Sequence, residues 1–181
     1  MGYVKKFKVV EDKFAALIRE VGDVKASSTD EDINEHWDVK LDIKFDVKAV
    51  KKTNRSDVDT DDSIHWVELI NVRGARGWLY GEADYFAFEL DDYWMIVNKK
   101  SLQDLIAEKC KAKEKCDKPT LYKLYQRSGR EDMITLVKTI DLMYIAEQII
   151  KKDGNVGIGT SSPYVKTEIT GGDLAVGGGA G

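Results

Sequence analysis

The sequence predicts an α/β (α+β) domain with a mixed central sheet of about five strands flanked by helices. Three observations predict it. Residues 9–21, VVEDKFAALIREV, repeat Val10, Phe14, Leu17, Ile18 and Val21 at helical spacing. WDVKL, FDVKAV, IHWVELINV, ADYFAFEL and YWMIVN read as strands, the first two alternating apolar and charged residues. Helical and strand patterns are interspersed along 181 residues, an ordinary size for one domain.

The elements follow in order. Gly22 ends the first helix. ASSTDEDINE, residues 26–35, reads as an acidic loop or a short turn capped by Thr29 or Asp30. In WDVKL, Trp37, Val39 and Leu41 share one face; in FDVKAV, Phe45, Val47 and Ala49 do. The link Asp42-Ile43-Lys44 suits a hairpin. Residues 51–63 form a polar loop before the third strand, and RGARGWLYG reads as a tight turn. Asp91-Asp92 joins the last two strands. SLQDLIAEKCKAKEK is a helix capped by Ser101. Residues 119–130 are extended, with a turn at Ser128-Gly129, and ITLVKTIDLMYIAEQIIKK starts as a strand and ends as a helix. Residues 1–152 are the expected domain. Residues 153–181 hold most of the 15 glycines, lack a helical period and read as a flexible tail.

Composition narrows the function. Hydrophobic residues at 43% supply a core. A formal charge of −4 means that any nucleic-acid partner needs a local basic patch. Cys110 and Cys116, in CKAKEKC, match no zinc spacing and read as plain thiols. No apolar run approaches the roughly 18–20 residues of a membrane span, and MGYVKKFKVVEDK has no signal-peptide core. A soluble, cytoplasmic protein with no membrane partner is expected.

The chemistry-bearing stretch is HWDVKLDIKFDVKAVKK, residues 36–52. Asp46 and Lys48 stand at i and i+2, so their side chains point the same way. If the two strands pair, Asp38 converges on them. Two carboxylates about 5 Å apart repel by about 3 kcal/mol at an effective dielectric near 20. A hard divalent cation removes that cost and keeps waters for chemistry. Glu68, between Trp66 and Ile70, is either a salt-bridged structural carboxylate or a further member of the metal environment. Asn71 holds a loop or a substrate, Asp84 ends a turn, and Trp78 and Tyr80 close the core or stack on bases. His36 and His65 read as structural or surface residues. No nucleophile elbow or phosphate loop is present.

Asp38 followed by Asp46-Val47-Lys48, behind a helix, resembles the PD-(D/E)xK nuclease superfamily, with Asp in place of the more frequent Glu. WVELINVRGARGWLYGEADYFAFE and YQRSGRED resemble its phage-encoded members. The resemblance spans residues 1 to about 150. It implies a restriction-endonuclease-like core and Mg²⁺- or Mn²⁺-dependent DNA hydrolysis inside a host cell. Asp38 and Asp46 would bind the metal, and Lys48 would position or activate the attacking water. Glu11 or Glu68 would complete the centre, with Glu20 as the alternative on the helix. Lys51, Lys52, Arg55, Arg73, Arg76, Arg127 and Arg130 offer phosphate contacts. DNA is the implied partner, and a homodimer is compatible with it. DGNVGIGTSSP resembles a repeat of bacteriophage tail-fibre proteins. The rival assignments are a non-catalytic nucleic-acid-binding module of this fold and a phage structural or accessory protein.

Overall fold

Alternation in residues 85–98 builds the centre of the molecule. Phe86, Phe88, Met95 and Val97 join one apolar cluster, while Ala87, Trp94 and Ile96 join another. Successive strand side chains point to opposite faces, so these strands are covered on both. The computed structural model describes residues 3–19, 22–52, 59–110, 115–152, 156–159 and 166–168; Glu20, Val21 and Arg55 lie outside them.

The order is α1 (Tyr3–Ile18), β1 (Lys25–Ala26), α2 (Thr29–Glu35), β2 (Val39–Lys40), β3 (Lys44–Lys48) and β4 (Ile64–Ile70). A 3₁₀ turn (Trp78–Tyr80), β5 (Tyr85–Glu89), β6 (Tyr93–Asn98), α3 (Lys99–Lys109), β7 (Lys115–Cys116) and β8 (Leu124–Tyr125) follow. Then come β9 (Met133–Lys138), α4 (Thr139–Ile145), β10 (Ala146–Lys151), β11 (Val156–Gly159) and β12 (Lys166–Glu168). The fold is mixed α/β, as expected. The described strands form two sheets, ordered β1-β2-β3-β5-β6-β10-β11-β12 and β4-β9-β8-β7. Each sheet contains both parallel and antiparallel pairs: β3 runs parallel to β5, and β7 to β8. Of the glycine-rich stretch, only β11 and β12 are described, and they continue the main sheet beyond β10.

One face of the main sheet carries α1. Phe14 is fully buried, its ring centroid 5.3 Å from Phe45 and 5.1 Å from Trp94. The other face packs against β4, β8, β9, α3 and α4 through Val67, Leu124, Val137, Leu102 and Leu142. Phe14→Ala is expected to cost about 3–5 kcal/mol and to loosen α1; the urea midpoint checks it.

Several expectations are corrected. The first helix runs over Tyr3–Ile18 rather than 9–21; YVKKFK upstream holds no Gly or Pro to interrupt it. Residues 29–35 form a true helix capped by Ser28, not Thr29 or Asp30. Ser28 N–H donates to Glu31 Oε2 at 2.8 Å, and Glu31 N–H donates to Ser28 Oγ at 3.3 Å. Asn98 rather than Ser101 caps α3, accepting from Lys100 N–H at 2.9 Å. Residues 146–151 are a strand rather than a helix. Pairing with β6, Ile149 opposite Met95 and Ile150 opposite Trp94, overrides the helical pattern.

Trp37 is the most consequential correction. It does not share a face with Val39: Trp37 packs in one core cluster and Val39 in the other. The alternation starts only at Val39, because β2 has just two residues. His36 ends α2 in the left-handed region at φ 58°, so the chain turns sharply before Trp37. Gly81 lies so close that a Cβ there would stand 2.6 Å from His36 Cβ, which locks this turn against the 3₁₀ segment.

Candidate active site

The expected hairpin forms. Val39 pairs with Phe45 and Lys40 with Lys44, around the turn at residues 41–43. The pairing then stops, leaving the next amide of β3 without a strand partner. Asp38 takes that place. Its N–H donates to Phe45 O at 2.7 Å, and its Oδ2 accepts from Val47 N–H at 2.6 Å. Asp38 is thereby pinned beside β3 by main chain and side chain together.

Asp46 and Lys48 point away from Phe45 and Val47, on the face of Phe86 and Phe88, their register partners on β5. Lys48 Nζ pairs with Asp46 Oδ1 and sits 4.3 Å from the Trp78 ring centroid. Asp46 is only 4% exposed, and its Oδ2 accepts no hydrogen bond from any described residue. The Asp38 carboxyl is within hydrogen-bonding reach of Asp46. Thus Asp38, Asp46 and Lys48 are brought together as the residue spacing requires.

The electrostatics follow from burial. Desolvation pushes the Asp46 carboxyl up to about 8, and Asp38 adds to the rise. The Lys48 ammonium opposes both without overcoming them. Glu11, on α1, is pushed up to about 7, first by burial and next by the charge of Asp38. Asp32, on α2, is also raised, by burial and then by Asp38. The charge of Asp38 is thus felt by carboxyls on α1, α2 and β3. Asp32 is the one of these that sequence reasoning missed. Its only signal is its place in the acidic run TDEDINE, and nothing local says which way that run faces.

Glu68 is placed differently. It lies half-buried on β4 of the second sheet, where its charge and that of Asp46 both act on Lys51. Lys51 and Lys52 follow β3 at the surface, and Lys52 O accepts from Trp66 Nε1 at 3.3 Å. The Lys51 pKa is lowered, first by partial desolvation against the neighbouring protein and next by the charge of Lys48.

The arginines divide into two kinds. Arg73, Arg76 and Arg130 are exposed on two turns that abut: a Cβ on Gly74 would run into the Glu131 carboxylate. Arg127 instead pairs through Nε with Asp132, which is 0% exposed. Removing the partner of a buried carboxylate is expensive, so Arg127→Ala is expected to cost about 3 kcal/mol. Arg130→Ala should stay within about 0.5 kcal/mol. Urea unfolding of both variants separates the structural arginine from the surface one.

The remaining candidates differ in burial and partners. Asn71 Oδ1 accepts from the N–H groups of Arg73 and Ala75, at 2.9 and 3.1 Å, and so holds the loop. Asp84 Oδ2 accepts from Lys44 N–H at 2.8 Å at the start of β3. Trp78 closes the core against Phe86, whereas Tyr80 is exposed. Cys110 is buried and Cys116 half-buried, both as free thiols.

Among the described residues, no group of three or more His, Cys, Asp or Glu side chains is arranged to hold a metal ion. Nor is any of their helices long and apolar enough to cross a membrane. No family model, curated protein or solved structure matches the chain.

Proposed function

We propose that this chain is a metal-dependent DNA endonuclease of the PD-(D/E)xK type, phage-encoded, with a restriction-endonuclease-like core. One observation carries the proposal: Asp38, Asp46 and Lys48 meet at the edge of β3, with Glu11 of α1 in the field of Asp38. The order of parts, a helix carboxylate, a lone Asp and a D-x-K strand, is the superfamily's.

The donor set fits a hard divalent cation such as Mg²⁺ or Mn²⁺. Asp46 Oδ2 is buried and accepts no hydrogen bond from any described residue, and the donors are carboxylate oxygens. Mg²⁺ needs only one or two protein carboxylates, keeping waters for its remaining positions. When bound, the ion supplies a polarised water and neutralises charge at the phosphate. The chain supplies the rest. Asp38 and Asp46 fix the site on a strand rather than a loop. Lys48, steadied by the Trp78 ring, orients the attacking water and offsets charge building on the phosphate. Glu11 completes the acidic side, and Glu68 acts at one remove through Lys51. Lys51, Lys52, Arg73, Arg76 and Arg130 hold the strand by its phosphates, while Arg127 is committed mainly to Asp132.

The test is incubation of the full chain with supercoiled, linear, branched and single-stranded DNA in Mg²⁺, Mn²⁺ or EDTA. Metal-dependent cleavage lost in both Asp46→Ala and Lys48→Ala supports the proposal. DNA shifted on a gel but not cut under any condition would replace it with a non-catalytic binding module. Neither cutting nor binding would favour a phage structural role.

A further inference from the structure

Beside the carboxylate centre, and sharing Lys48, Lys51 and Trp78 with it, lies a small recess where His65 has no place in the hydrolytic scheme. Its lining includes Lys48, Lys51, His65, Trp66, Trp78 and Phe88. His65 is 4% exposed, and its Nε2 is buried without a hydrogen-bond partner among the described residues. A buried polar atom left unpaired costs roughly 1–3 kcal/mol, so it calls for a ligand. Burial lowers the His65 pKa to about 4, against the opposing charges of Asp62 and Asp61. The ring is therefore neutral at pH 7 and can carry its proton on Nε2 as a donor. Lys48 and Lys51 both line the recess, near enough for the charge of Lys48 to lower the pKa of Lys51. The aromatic walls lower the local dielectric and strengthen charge interactions against them. Two cations and one neutral donor in an apolar wall suit an anion with several oxygens.

We propose that this recess is a phosphate subsite, seating a phosphate of the nucleic-acid strand other than the one being cut. The proposal rests on the nuclease assignment for its choice of ligand. Its test does not rest on cleavage.

The chain has two histidines, His36 and His65, so ¹⁵N-histidine labelling of the full-length protein gives two resolvable imidazoles. Inorganic phosphate is titrated without divalent metal, against chloride and acetate at matched ionic strength. The expected result is a saturable shift of His65 Nε2 by phosphate alone, with His36 unmoved. Lys51→Ala should weaken it about tenfold. The dinucleotides TpT and pTpT then identify the source. A shift by both names an internal phosphate and a shift by pTpT alone a terminal one; either supports the subsite. A shift by inorganic phosphate alone overturns it, as does an unmoved His65 or an equal response to chloride or acetate. Normal cleavage without the shift would sink the subsite and leave the nuclease. The shift without cleavage would do the reverse.

Discussion

Lys48→Ala is expected to reduce metal-dependent DNA cleavage by about 10³-fold or more, with Mg²⁺ or Mn²⁺ affinity changed by no more than about threefold. The asymmetry follows from position. Lys48 contributes no metal-binding atom, and its ammonium is held between Asp46 and the Trp78 ring rather than tumbling in solvent. Removing it leaves both carboxylates and the Asp38–Val47 hydrogen bond in place. Plasmid nicking and calorimetric metal titration, run on the same preparation, decide the matter. Unchanged cleavage would remove Lys48 from the mechanism. Loss of metal binding along with cleavage would make it a positioning residue for Asp46.

Asp46→Asn is expected to stabilise the metal-free protein at pH 8 while abolishing cleavage. Folded, the Asp46 carboxyl keeps its proton up to about pH 8; unfolded, it loses it near pH 4. Between those values the unfolded chain binds fewer protons than the folded one. Stability from this group is therefore fully present below about pH 4, falls as pH rises, and levels off above about 8. Asparagine resembles the protonated form and does not titrate. The variant should gain on the order of a few kcal/mol over wild type at pH 8 and nothing near pH 4. Glu11, raised to about 7, adds a slope of the same sign in both proteins, so the difference between them isolates Asp46. Urea midpoints at pH 4, 6 and 8 in EDTA measure it. Saturating Mg²⁺ should stabilise wild type and not the variant, since only a ligand that binds the folded state shifts the equilibrium. Parallel pH curves for the two proteins would show that Asp46 is not held protonated by its surroundings. The result would be a case of stability given up for a functional centre.

Much of the candidate site is local in origin, and that part was legible. Asp46 and Lys48 share a face because strand side chains alternate, whatever the rest of the chain does. The hairpin that brings Asp38 alongside is equally local, three residues linking β2 to β3. Glu11 sits on the helix whose Phe14 packs on Phe45 of the same strand, so one amphipathic stripe carries it to the centre. Asp32 and Arg127 were not legible in the same way. Asp32 reaches the group only through the Ser28–Glu31 cap and the turn at His36, which fix the direction of α2. Arg127 resembles the other surface arginines in sequence, and only the fold buries Asp132 beneath it.

By itself, the sequence determined the mixed α/β class, strands within residues 37–50, 64–72 and 83–98, and the D-x-K strand face. These depend on side-chain periods of 2 and 3.6 and on contacts a few residues apart. Tertiary structure decided the split into two sheets, the strand at residues 146–151, the opposite burial of Trp37 and Val39, and the recess around His65. Those depend on which distant segment supplies the missing hydrogen bonds and apolar cover. A backbone amide or an indole ring can satisfy that need with many partners, and only the closed fold selects one.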